Sequence, residues 1–278
     1  MLRILPVAVM VCLGLIACGG TSNAALAQDL PAQQSAEVIA AMQKVHAGFA
    51  GQKGYVAQLG DSITYSMAFW SPLGWDDPTK YLPEGEQAAK LPENKPWKNI
   101  IQGTRDKGPE FANYSGWKVG QVLKALDGVL EKSRPEVAII MVGTNDISGG
   151  KVPAGYRDEL EQLVKQCTAA HCVPILNTIP PRRNHEQVVG EINKIIQEVA
   201  GKSQVPLVDF HAECVRRWPE KTWDGTIISS DGVHPSGGKS NDYSPENLKN
   251  SGYALRNWLN FLAYRQLYFE VLSPVSEK

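Results

Sequence analysis

The sequence predicts an α/β fold in which one parallel sheet is covered by helices on both faces. Three observations carry this. Short apolar runs alternate with helical periods of 12–18 residues along most of the chain. The run Glu136–Val142 (EVAIIMV) is almost continuously apolar and rich in β-branched residues, as a strand buried on both faces should be. Pro135, Pro174 and Pro206 stand at the starts of three such runs, where they stop the helix before them.

The elements follow in order. Ala36–Phe49 reads as a helix with Ser35 as N-cap. Tyr55–Leu59 is a short strand, and Glu110–Tyr114 a weaker one. Lys118–Ser133 is helical and leads into the strand Glu136–Val142. Ala154–Ala170 is the next helix, followed by the strand Val173–Ile179. His185–Ala200 precedes the strand Val205–Phe210, and Ser244–Val271 closes the chain as a helix. No internal repeat and no second domain boundary interrupt this pattern, so one domain over 35–272 is expected, with a short tail at 273–278.

The N-terminus reads differently. Ile4–Ala17 is an apolar run of 14 residues behind Arg3. It is too short to span a bilayer core, which needs about 20 residues, and has the length of the apolar part of a secretory signal. Leu15-Ile16-Ala17-Cys18 resembles a bacterial lipobox, so residues 1–17 are expected to be removed and Cys18 to carry lipid. Ala25-Leu26-Ala27 is a second exit, an ordinary signal-peptidase site that would release a soluble chain. Residues 18–34 read as a flexible tether. Both exits imply export to the cell envelope or beyond, with membrane contact only through lipid at Cys18.

The 278 residues carry 28 Lys+Arg against 29 Asp+Glu, a net charge of −1. That balance argues against a nucleic-acid binder, which would show a basic excess. Five cysteines are too few for a disulfide scaffold at this length. Cys167 and Cys172 can be read as a bridge or as buried free thiols. No Cys/His cluster has zinc spacing. His185-Glu186 opens an HExxH pattern, but Val189 occupies the second His position. Gly238-Lys239-Ser240 lacks the earlier glycine of a phosphate loop.

In such folds ligands bind beyond the carboxyl ends of the strands. Those positions hold Gly60-Asp61-Ser62, Ser115-Gly116-Trp117, Gly143-Thr144-Asn145-Asp146 and Pro180-Pro181-Arg182-Arg183. Asp231-Gly232-Val233-His234 stands further on. Each has an ordinary reading alone: Ser62 as a helix cap, GTND as a turn, Asp231 and His234 as a surface pair. Together they supply a serine, a base, an acid to orient the base, and oxyanion donors. Ser62 is the candidate nucleophile, His234 the base and Asp231 the acid. The N–H groups of Ser62 and Gly116 and the Asn145 amide can meet one oxyanion. This chemistry needs no metal and no cofactor.

The ordered set Ser62 in GDSIT, Gly116 in NYSGW, Asn145 in GTND and His234 in DGVHP resembles the SGNH hydrolases, also called GDSL esterases/lipases, over about residues 55–265. The resemblance implies a flavodoxin-like three-layer α/β/α fold with a five-stranded parallel sheet in the order 2-1-3-4-5. It implies ester hydrolysis with Asp231 as third triad member. It carries Ser62, Gly116 and Asn145 to the oxyanion hole. A small-molecule or glycan ester is the expected partner, with short acyl groups on polar or carbohydrate alcohols. A lysophospholipase-like lipid esterase and an envelope glycan O-acyltransferase are the alternatives. Ser62 and Gly116 lie 54 positions apart, a long spacing that leaves an insertion at about 69–109. Its Phe69, Trp70, Trp75, Tyr81 and Trp97 can be read as a cleft wall or as anchors of an irregular loop. Arg182 and Arg183 can be read as anion-binding or structural.

Overall fold

The computed structural model describes residues 33–83 and 97–273. The expected signal segment 1–17, Cys18, the alternative cleavage site, most of the tether, residues 84–96 of the insertion and the tail beyond 273 lie outside these residues.

Helix α1 spans Ala36–His46, and its first turn is capped by Ser35, whose Oγ accepts from the Val38 N–H at 3.4 Å. Strand β1 (Gln52–Gly60) follows and runs into α2, a single turn at Ser62–Tyr65. Helix α3 (Val119–Lys132) leads to β2 (Pro135–Met141), which is buried along its whole length. Then come α4 (Tyr156–Ala169), β3 (Val173–Asn177), α5 (Glu186–Ser203), β4 (Leu207–Val208), α6 (Phe210–Arg217) and α7 (Gly252–Leu267). The strands pair in parallel in the order β1-β2-β3-β4. Helix α3 packs on α4 and α4 on α5, forming one layer; α1 packs on the turn 268–272 that continues α7, and these form the other.

The expected sheet had five strands, and among the described residues four are present. The Glu110–Tyr114 segment lies beside β1 where the outer strand was expected, but it touches the sheet at one isolated bridge, Gly60 to Asn113; a second bridge on that edge, Tyr55 to Gln102, comes from an earlier segment. Pro109 has no N–H to give a ladder, Pro109–Phe111 forms a 3₁₀ turn, and Ala112 is left-handed at φ 55°. The four remaining strands keep the expected order.

Two further boundaries differ for local reasons. The strand expected at Val205–Phe210 shrinks to two residues, because Asp209 already caps α6 by accepting from the Ala212 N–H at 3.0 Å. The long helix expected from Ser244 starts at Gly252, capped by Ser251 Oγ accepting from Ala254 at 3.2 Å. Helix α7 is buried almost all round, and its two asparagines are paired. Asn260 and Asn177 exchange amide hydrogen bonds at 3.0 and 2.8 Å. Asn257 holds the Trp70 N–H at 2.8 Å and the Ala68 carbonyl at 2.9 Å.

Those last bonds fix the insertion to the core. Phe69, Trp70 and Trp97 are fully buried. Trp97 meets Phe261, Tyr264, Tyr268 and Phe269 edge-on. Tyr81 contacts Tyr243, which stacks on Trp258. These five side chains include four that anchor the insertion; Trp75 is the exposed one. Cys167, Cys172 and Cys214 are free and buried. Among the described residues, no helix is long and apolar enough to cross a membrane.

Candidate active site

Gly60, Met141, Asn177 and Val208 end their strands at one level, set by the register of the sheet. The candidate residues leave the sheet from that edge. Asp61 caps α2, its Oδ1 accepting from the Ile63 N–H at 3.0 Å, and this sets Ser62 as the first residue of the turn. The first-turn N–H groups of a helix have no intrahelical acceptor, so the Ser62 N–H is available to a ligand.

Ser62 Oγ lies 2.9 Å from His234 Nε2, and His234 Nδ1 lies 2.7 Å from Asp231 Oδ2. A carboxylate can only accept, so Nδ1 carries the imidazole proton and Nε2 accepts from the Ser62 hydroxyl. The three residues form one hydrogen-bonded chain across 172 positions of sequence. Asp231 Oδ1 accepts from Ser229 Oγ, the Val233 N–H and the His234 N–H at 2.7, 2.8 and 2.9 Å. Partial burial alone would raise its pKa. The backbone N–H of His234, the Ser229 hydroxyl, the Val233 N–H and the His234 ring together hold the carboxyl well below the ordinary range.

The oxyanion candidates come from two turns joined to one another. Tyr114 donates its N–H to the Gly60 carbonyl at 3.2 Å, which ties the 114–117 turn to the end of β1. Trp117 N–H returns to the Tyr114 carbonyl at 3.3 Å, and Gly116 sits third in that turn at φ 79°. A type II turn demands positive φ at that place, where a side chain is strained. Asn145 Nδ2 donates to the Trp117 carbonyl at 3.1 Å. An amide nitrogen has two hydrogens, so the second remains for an oxyanion beside Gly116.

Under this rim lies a charged support that the sequence reading did not single out. Arg256 is fully buried and donates to the Ile63 carbonyl and Thr64 Oγ1 at 2.9 and 3.0 Å, while its guanidinium stacks on Phe69 at 3.5 Å. Lys107 Nζ donates to Gln58 Oε1, the Thr64 carbonyl and the Phe69 carbonyl. Arg256 and Lys107 therefore both hold carbonyl oxygens of α2. Burial pushes Arg256 down to about 9 and, with Arg256 nearby, Lys107 down to about 6. Burial raises Asp61 to about 6 against the Ile63 N–H and the charges of Arg256 and His234. Asp146, which accepts from the Val119 N–H, is also raised by burial to about 6. Arg182 binds the Thr144 carbonyl at 2.6 Å, and Arg183 binds Asp224 and the Ser230 carbonyl, so both arginines have structural partners.

Among the described residues no three His, Cys, Asp or Glu side chains group to hold a metal ion. A cavity of about 500 Å³ lies away from this chemistry, at the β4 edge, lined among others by Gln34, Val38, Leu207, Leu259 and Gln266. It contains none of the candidate residues.

Residues 59–237 match the GDSL-like lipase/acylhydrolase family. The chain belongs to this family. A multidomain esterase of Ruminococcus flavefaciens is 26% identical over 219 residues, 66% of this chain and 26% of that protein. The Escherichia coli protein named thioesterase 1/protease 1/lysophospholipase L1 is 29% identical over 126 residues, 45% of this chain and 58% of that protein. The chain thus spans less than two thirds of either relative. A solved lipolytic protein of the G-D-S-L family from Desulfitobacterium hafniense superposes with a TM-score of 0.53 at 16% identity, covering 76% of this chain and 99% of that one. That likeness shows the fold. The α/β architecture expected of a GDSL-like acylhydrolase is therefore present here with four strands.

Proposed function

We propose that this GDSL-family chain is a serine carboxylesterase working through an acyl-enzyme. The observation that carries the reading is the continuous chain Ser62 Oγ, His234, Asp231, at 2.9 and 2.7 Å. His234 Nε2 takes the Ser62 proton as Oγ attacks the ester carbonyl. The oxyanion accepts from the N–H groups of Ser62 and Gly116 and from Asn145 Nδ2. His234 then protonates the departing alcohol, and water, activated by the same imidazole, releases the acid. Asp231, held anionic, keeps the imidazole in the required tautomer throughout.

The proposed substrates are short-acyl esters of polar alcohols, carbohydrates among them. Support comes from the openness of the site: His234 and Asp231 side chains are 39% and 50% exposed, and Gly116 is exposed. A long acyl chain calls for an enclosed aliphatic tunnel. The chain is further proposed to be exported and held at the membrane through lipid on Cys18, on the strength of Leu15-Ile16-Ala17-Cys18. Mass spectrometry of the mature N-terminus tests that part; an unmodified chain starting at Gln28 overturns the anchor.

The reaction is tested by kcat/KM on esters from acetyl to palmitoyl. Acetyl to butyryl esters are expected to lead, with turnover abolished in Ser62→Ala. A Ser62→Ala protein that keeps turnover overturns the mechanism. The name of the E. coli relative favours lysophospholipids as a second reading, and a tenfold preference for C12–C16 esters would support it over the first. Faster acyl transfer to a sugar hydroxyl than to water would favour the acyltransferase.

A further inference from the structure

Beside the oxyanion candidates stands a run of three aromatic rings. Tyr65 and Tyr114 have centroids 5.2 Å apart with planes at 61°, and Tyr114 and Trp117 are 6.1 Å apart, again at 61°. Their origins tie each to a candidate reacting group. Tyr65 follows Ser62 by three residues on α2. Tyr114 and Trp117 are the first and last residues of the turn that presents Gly116, and the Trp117 carbonyl holds the Asn145 amide. Tyr114 is 40% exposed, one of few large apolar side chains left open to solvent. Tyr65 and Trp117 are half-buried beside it, so the run has one open ring and two partly open ones.

We propose that Tyr65, Tyr114 and Trp117 form a specificity wall that receives the C–H face of a pyranose ring in the ester substrate. The proposal rests on the esterase reading and deepens it by naming the alcohol. Neighbouring rings are tilted by 61° to one another, so they do not make a flat sheet. Two of them end in phenol hydroxyls, which give apolar faces a polar edge. The exposed stretch around them supplies Ser115, Lys118 and Gln121, a hydroxyl, an ammonium and an amide on the same rim. Apolar faces bordered by hydrogen-bonding groups suit a sugar, with its C–H faces and equatorial hydroxyls. An aliphatic chain would leave those polar groups unpaired. Because one turn carries Gly116 and two of the three rings, and Tyr65 shares α2 with Ser62, a ring seated on the wall is registered against the oxyanion position.

The test pairs kinetics with binding. An acetylated methyl xyloside is compared with triacetin, an acetyl ester without a ring. Tyr114→Ala should lower the ratio of kcat/KM for the xyloside over triacetin about tenfold, through KM, and Tyr114→Phe should keep most of the ratio. Calorimetric titration of Ser62→Ala with the same xyloside should give saturable binding, weakened about tenfold in Ser62→Ala/Tyr114→Ala. Equal affinity in the two proteins, or an unchanged ratio in folded Tyr114→Ala, overturns the wall. Failure of the esterase reading looks different: wild type would then hydrolyse neither ester, while the binding difference would persist. Loss of folded Tyr114→Ala, seen by circular dichroism, moves the comparison to Trp117→Leu, for which the same two outcomes decide.

Discussion

Asp224 is gripped on both carboxylate oxygens by Arg183, at 2.6 and 2.7 Å, and Arg183 also donates its N–H to the Gly232 carbonyl at 2.8 Å. Asp224 and Asp231 are the two aspartates preceding His234 within one loop, and this clamp separates their roles. Asp224 is committed to a guanidinium that braces the loop, and Asp231 is the acid on the imidazole.

The first prediction follows from that separation. Asp231→Asn should lower kcat on the order of 10³–10⁴, because a side-chain amide can donate to Nδ1 and so favours the wrong tautomer. Asp224→Asn keeps an oxygen that accepts from Arg183, so its loss should stay within about tenfold, the range of slight misplacement. Steady-state kinetics on p-nitrophenyl acetate distinguish them. A dead Asp224→Asn beside an active Asp231→Asn would reassign the acid.

Asn145→Ala should cost on the order of 10²–10³ in kcat with KM little changed, because the second amide hydrogen is used only when the oxyanion forms. A rise in KM alone would place Asn145 in ground-state binding instead.

Gly232 has φ 72°, and a Cβ built there would stand 2.6 Å from Arg183 Cβ. Gly232→Ala should therefore lose about 1–2 kcal/mol from the left-handed backbone alone, with Tm falling by about 2–4 °C per kcal/mol. Turnover should fall as well, since the turn aims His234. Gly237→Ala, five residues on and with nothing within 4 Å of its Cβ, is the control and should melt like the parent. Differential scanning calorimetry of the pair is sufficient.

Buried Asp61 gives a pH dependence with a definite sign. Its folded pKa of about 6 lies above the ordinary 3.8, so between those values the native state binds more protons than the unfolded chain. Stability from this group is thus greatest at the acid end and declines as pH rises from about 4 to 6, then levels. Asp61→Asn lacks this decline. Its stability relative to the parent should improve from pH 4 to pH 8 by on the order of 2–3 kcal/mol. Urea melts of both proteins at the two pH values read the difference; an unchanged gap would mean that Asp61 titrates normally.

Trp97 is 1% exposed and packs against four rings of the last helix and the turn after it. Trp97→Ala should cost about 3–5 kcal/mol of stability while leaving the order of preference among acyl esters as it was. A changed acyl preference in a folded Trp97→Ala protein would restore this residue to the cleft.

What the sequence by itself determined is local in origin. Proline positions, β-branched runs and the Ser35 cap specify strands and helices through bonds within a few residues. The spacing of Asp231 and His234 suffices to place acid and base in one turn. The four motif blocks could also be read in order, and Ser62 and Asn145 follow directly on strands that the apolar runs reveal. Other features depend on partners far along the chain. The outer strand dissolved into one isolated bridge because Pro109 and Ala112 cannot sustain a ladder against β1. Which aromatics sit in the core and which at the rim was settled by packing: Trp97 meets rings more than 160 positions away, whereas Tyr65 and Tyr114 meet only when α2 and the 114–117 turn are both fastened to the end of β1. The roles of Arg256 and Lys107 carry no signal in the sequence. Tertiary structure buried them under α2, where its carbonyls supply the acceptors that make such burial tolerable, and no periodicity encodes that meeting.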